Sequence, residues 1–233
     1  MTTTIGLIVT IRPVSWYCQG VETAREKRSN GEASKERILL AATQIAGERG
    51  FHGTTMSLVS KRSGLPPSSI YWHFANKDEL IAAVIERSFR RWIDVFDAPF
   101  DVPKGISDDE LFRFAMQRIG GTLADFPDFL RLGLMLVLDH RPDEPTARAK
   151  FVDVRAATAA RLESIYGMLF SDLATADVNQ LVTLTLALSD GMFIAREVEG
   201  LDLSSAFDLT ATAVLGAVDR IRNPNTRPPA SRN

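Results

Sequence analysis

Between positions 54 and 77 the chain concentrates short hydroxyls, polar aromatics and one lysine: Thr54, Thr55, Ser68, Ser69, Tyr71, Trp72, His73 and Lys77, with Pro67 among them. A hydroxyl both donates and accepts, so serine and threonine can meet a phosphate oxygen or either kind of base edge. Proline offers only apolar contact, of the sort a thymine methyl accepts. Tyrosine and histidine can reach a phosphate or a groove wall, and a lysine at a helix start adds its charge to the free amides there. None of these is a bidentate reader such as arginine, so direct base readout is expected to be modest, with DNA shape carrying part of any specificity. The chemistry on offer is adhesion to double-stranded DNA rather than bond making. Three histidines (His52, His73 and His140) and a single cysteine, Cys18, complete the nucleophilic and ligating set of the chain. They form no nucleophile–base pair and no metal-ligand spacing, so no enzyme, no metal and no cofactor is expected.

The elements that must hold these residues are two very short helices joined by a sharp turn. Met56 and Val59 share one face of the first, after Thr54 or Thr55 as a cap. Gly64-Leu65 ends it, and Pro66-Pro67 restarts the chain, since proline suits the first turn of a helix and not its interior. Ile70 and Phe74 point back to the face of Met56 and Val59, which leaves the first turn of the second helix facing outward. Neither helix is long enough to stand alone in water. Flanking helices over 33–50, with Ile38, Leu39, Ala42, Ile45 and Ala46 inward and Gly50 as its stop, and over 76–97, capped by Asn76 with Glu79 three residues on, supply the missing core. The pattern is a helix-turn-helix.

The remaining chain reads as helix throughout, over 108–124, from Pro127 through an almost wholly apolar run, and over 144–170, 177–198 and 205–222. The expectation is an all-α fold of about nine helices, with a three-helix head, a bridging helix and a larger helical body. Its boundaries fall at 1–30 (a disordered or misassigned extension), 31–78 (head), 79–222 (body) and 223–233 (a disordered tail). Phe112, Met116, Phe129, Met135, Met168 and Phe193 are candidates for an adaptable apolar cavity, with His140 and Asp190 as polar groups in need of partners. Ala187, Ser189 and Gly191 in one apolar helix, and Ala211, Ala213 and Gly216 in the next, permit close approach of a second copy. A homodimer through about 177–198 and 205–222 is expected.

Composition narrows the class further. The 27 Lys and Arg against 29 Asp and Glu give a net charge of −2, yet residues 1–80 hold ten basic against seven acidic side chains. A mildly basic head on an acidic body fits DNA binding at one end. No run reaches the eighteen apolar residues of a membrane span, so no membrane partner is expected.

The head resembles the tetracycline-repressor (TetR) family of bacterial transcription regulators. The likeness rests on ILLAA at 38–42, Gly50-Phe51, Thr54-Thr55-Met56, Gly64-Leu65, SSIYWHF at 68–74, Lys77 and Leu80. The resemblance implies a cytoplasmic repressor that binds a pseudo-palindromic operator as a homodimer and releases it when a small, largely apolar effector enters the body. A constitutive or architectural DNA-binding dimer shares the head and the dimer but needs no cavity, and a ligand-dependent activator would use the same DNA contacts. Helices 76–97 and 108–124 are the expected transmission elements.

Overall fold

A computed structural model describes residues 18–98, 105–139 and 145–224. Among them the chain forms nine helices and no strand: α1 (Cys18–Gly53), α2 (Met56–Ser63), α3 (Pro67–His73), α4 (Lys77–Asp97), α5 (Asp108–Asp125), α6 (Asp128–Leu138), α7 (Pro145–Leu169), α8 (Thr175–Glu199) and α9 (Leu203–Arg222). The expected all-α architecture holds. The expected start of the first helix does not, because α1 begins at Cys18 and makes residues 18–30 helical. The rest of the N-terminal extension, and the tail beyond 224, lie outside the described residues.

Local chemistry explains the breaks. Gly50 breaks α1 where a stop was expected, with a non-helical φ of 66° and ψ of −174° between two helical stretches, and a Cβ there would come within 2.7 Å of the Met135 Cε on α6. The backbone conformation calls for glycine, whereas the Met135 side chain could swing away from a Cβ. Asn76 accepts a hydrogen bond from the Glu79 amide at 2.9 Å, and the Glu79 carboxylate accepts from the Ala75 amide at 2.9 Å. Helix α5 has a reciprocal capping box between Ser107 and Glu110, in addition to its acidic first turn.

Helix α4 is the beam between head and body. Its Leu80, Ile81 and Val84 are buried with Ile38, Ala42 and Ile45 of α1, Val59 of α2 and Ile70 of α3, and this core continues into the body. The same helix also caps two body helices. Ser88 Oγ accepts a hydrogen bond from the Phe129 amide at the start of α6, at 3.1 Å. The buried Asp78 carboxylate accepts from the Thr146 and Ala147 amides in the first turn of α7, at 2.8 and 3.1 Å. Each contact satisfies amides that a helix start leaves orphaned. Helix α7 packs on α4 more extensively than α5 does, while α5 lies mainly against α9.

Helix α6 buries Phe129, Leu130, Leu132, Gly133 and Leu136, and exposes only Met135 and Leu138. Helix α8 is long and apolar enough to cross a membrane by length and composition, contrary to expectation. It nevertheless turns Val178, Leu181, Val182 and Phe193 into the protein core.

Candidate functional site

In the head, the turn between α2 and α3 is fixed by polar contacts that leave one face of α3 outward. Thr55 is the α2 cap, accepting from the Leu58 amide at 3.2 Å. Gly64 ends α2 in the left-handed region at φ 66°, and Arg37 donates from Nη2 to the Ser63 carbonyl at 2.6 Å. Ser60, which stands in the close contact between the helices, donates to the Leu65 carbonyl at 2.7 Å. Pro66 is extended and Pro67 takes the first helical position of α3. Ile70 and Phe74 are buried and anchor α3, so Pro67, Ser68, Tyr71 and Trp72 are exposed. Trp72 is 77% exposed, an unusual position for a large aromatic.

Ser69, His73 and Lys77 stand half-buried at the edge of this face. The Trp72 ring meets His73 edge-on at 4.5 Å. Burial pushes the His73 imidazole pKa down, the Lys35 charge adds to the effect, and Glu32 opposes it. Lys77 opens α4, and its ammonium lies 4.1 Å from the centre of the Phe51 ring, which holds the charge near the free amides of that helix start. Thr54 is the one member of the expected contact set that the fold withdraws. It is fully buried, and its Oγ donates to the Gly50 carbonyl at 2.8 Å, closing the chain after the kink. Arg62 is occupied by a bidentate pair with Glu48 at 2.5 and 2.9 Å, whereas Lys61 is exposed.

The body contains a small, partly open cavity of about 70 Å³ between helices α4 to α9. Its apolar wall includes Trp92 of α4, Phe129 of α6, Leu162 of α7 and Leu186 of α8. Of the residues expected there, Phe129 and Asp190 line it. Phe112, Met116 and Phe193 are buried in the packed core instead, and the Phe112 ring lies 5.4 Å from Tyr166 and 5.6 Å from Phe170. Met168 is 70% exposed on the outer face of α7, and Met135 is spent on the approach to Gly50. His140 lies outside the described residues.

The partner that Asp190 required is Arg155 of α7, a bidentate pair at 2.9 and 2.5 Å that residue type alone did not indicate. Asp139, the other acid at the end of the apolar α6, meets His52 Nε2 of the head at 2.8 Å. Among the described residues, no group of acidic, histidine and cysteine side chains could hold a metal ion.

On the outside of the body, Thr183, Ala187, Gly191, Ile194 and Val198 make an exposed stripe along α8. Leu209, Ala213 and Gly216 make one along α9. Added Cβ atoms at Gly191 and Gly216 would meet nothing within 4 Å, so these small residues front open space.

Residues 38–84 match the family described as bacterial regulatory proteins, tetR family. Over 74 residues the chain is 32% identical to the HTH-type transcriptional regulator UidR of Escherichia coli (strain K12), covering 32% of this chain and 38% of that protein. It is 31% identical over 85 residues to IcaR of Staphylococcus epidermidis, a negative transcriptional regulator of the biofilm operon icaADBC, covering 36% and 45% of the two chains. The match thus spans less than half the length of these relatives. In fold, the chain is similar to a TetR-like transcriptional regulator from Rhodococcus sp. RHA1, with a TM-score of 0.59 and 19% identity over 80% of this chain and 96% of that one. It is also similar to the fatty acid degradation regulator FadR from Bacillus halodurans, with a TM-score of 0.62 and 18% identity over 78% and 95%.

Proposed function

The chain carries a tetR-family helix-turn-helix head on a TetR-like all-α fold, and from that premise we propose that it is a cytoplasmic, ligand-responsive transcriptional repressor. It binds a pseudo-palindromic operator as a homodimer and leaves it when an organic effector occupies the body. The observation that carries the DNA-binding part is the outward face of α3, where Ser68, Tyr71 and Trp72 stand exposed on a helix anchored by buried Ile70 and Phe74. Ser69, His73 and Lys77 flank that face, and Thr55 adds a hydroxyl at the start of α2. Tyr71, Trp72 and Lys77 supply phosphate and groove-wall contacts, while Pro67, Ser68 and Ser69 enter the groove.

One head offers too few contacts for tight binding. Two heads spaced by about 34–36 Å would meet successive major grooves, which requires a dimer of the body. The exposed small-residue stripes on α8 and α9 support a four-helix interface between copies. Footprinting and salt-dependent binding to DNA from the gene's own neighbourhood test the proposal. An inverted repeat protected at nanomolar protein, lost steeply as salt rises, is the expected result. Binding of the same strength after Tyr71→Ala and Trp72→Ala would refute the assignment of α3.

A second reading, a constitutive DNA-binding dimer, is favoured by the small size of the body cavity, about 70 Å³. It predicts operator binding that no small molecule weakens.

A further inference from the structure

The small body cavity has a neighbour. An open groove of about 530 Å³ runs over α6, α7 and α8, with Leu134, Leu138, Val152 and Ala159 on its wall. Arg155, Asp190, Phe151 and Leu186 line both spaces. The Arg155–Asp190 ion pair therefore stands in the partition between a small apolar cavity and a wider apolar groove. Its side chains are 34% and 21% exposed, so each can exchange its partner for water or a ligand without full burial of a lone charge. With the partition open, the joined space falls within the roughly 300–1,000 Å³ of ordinary ligand pockets.

The polar groups at this site are unequal in kind. The hydroxyls of Thr158, Thr185 and Ser189 on the cavity wall donate to carbonyls of their own helices. The Arg161 guanidinium, also on the wall, pairs with Asp97. The Trp92 indole N–H is buried without an acceptor among the described residues, although Trp92 lines the cavity. The wall thus presents two guanidiniums, each already paired with a carboxylate, and one unused N–H donor. A ligand that brings acceptors answers that donor, and one that brings only donors leaves it orphaned.

We infer that the effector site, taken as such from the proposed function, selects an amphiphilic carboxylate, whose head group takes the Arg155 fork from Asp190 while its apolar part fills the opened cavity. A carboxylate reproduces the bidentate geometry that Asp190 holds now, which a neutral alcohol cannot do and an ammonium group reverses. The displaced Asp190 side chain turns to the solvent side of the groove. Exchange at this pair separates α7 from α8, and α7 is the helix whose first turn is capped by Asp78 of the head-bearing α4.

Octanoate, octanol and octylamine form a matched probe set for the full chain, read by calorimetric titration and by thermal stabilisation. Octanoate binding about tenfold or more tighter than octanol, with octylamine weaker still, is the expected order. Asp190→Asn removes the competing carboxylate and tightens octanoate about fivefold or more. Arg155→Gln abolishes the preference for octanoate over octanol. Equal affinities across the set, a preference for the amine, or no binding by any probe overturns the inference, and the wild-type comparison stands even where a variant fails to fold. Operator binding is measured without any probe, so failure of the carboxylate preference and failure of the DNA-binding assignment are read separately.

Discussion

Replacing Asp78 by alanine isolates the joint between head and body. The Asp78 carboxylate is 6% exposed and accepts from two amides, Thr146 at 2.8 Å and Ala147 at 3.1 Å, in the first turn of α7. Loss of a helix N-cap costs about 0.5–2 kcal/mol, and hydrogen bonds to a charged acceptor lie at about 1.5–3 kcal/mol. Water can reach part of the vacated site, so the region where these ranges overlap, about 2 kcal/mol, is the expected loss for Asp78→Ala. For a chain of this size each kcal/mol shifts the melting temperature by about 2–4 °C, which gives a drop of about 4–8 °C. Asp78→Asn keeps one acceptor but loses the charge that complements the helix start, and about half the drop is expected. Thermal unfolding at a fixed protein concentration, because dimerisation raises apparent stability, reads both variants. A melting temperature for Asp78→Ala within about 1 °C of the wild type would refute the assignment of Asp78 as the clamp. So would an asparagine variant less stable than the alanine one.

Three further outcomes follow from separate features. Gly64→Ala places a Cβ on a residue at φ 66° and should cost about 1–2 kcal/mol in urea unfolding, with operator affinity falling in parallel because α3 hangs from that turn. His73 has its pKa depressed by burial, so the folded state favours the neutral ring. Its contribution is fully present above the unfolded value of about 6.5 and is lost as pH falls through the lower folded value. The melting temperature of the wild type should therefore fall more between pH 7.5 and 5 than that of His73→Gln, and parallel curves would count against it. Ala213→Glu, on the exposed stripe of α9, should give a folded monomer by sedimentation with much weaker operator binding; a persistent dimer would move the interface elsewhere.

The head was legible because its signals are short-range. Gly64, Pro67 and Asn76 act within a turn of where they stand, and a three- to four-residue spacing suffices to bury Val59, Ile70 and Phe74. The same logic failed at Thr54, where two adjacent threonines offered equal caps and only the Gly50 kink decided which one turned inward. The body cavity was less legible, because residue type does not say which side of a helix faces a void. Met168 is as suitable a lining residue as any by chemistry, and it points outward from α7. Arg155 gave no local signal at all, since its partner lies 35 residues away on α8, and the Asp78 clamp spans 68 and 69 residues. Such pairs depend on how helices are arranged, which periodicity within one helix cannot encode.

The proposed response to a ligand can be bounded from the same geometry. Asp190 exchanges at Arg155, and the Asp78 clamp holds Thr146, nine residues earlier on the same helix, a separation of about 14 Å along its axis. A straight helix of that length transmits a shift of one end to the other without an intermediate, so α7 needs no further link to reach α4. A ligand moves an equilibrium only by the difference in its affinity for the two states. If the change that releases the operator is loosening of α7 from α4, the relevant scale is the clamp itself, about 2 kcal/mol, which corresponds to release by about 30-fold. Asp78→Ala should then bring the ligand-free protein close to the affinity that effector-bound wild type shows, and effector should weaken that variant's operator binding much less. A variant that keeps the full wild-type response would place the transmission outside α7, and the Ser88 contact to α6 would become the next joint to break.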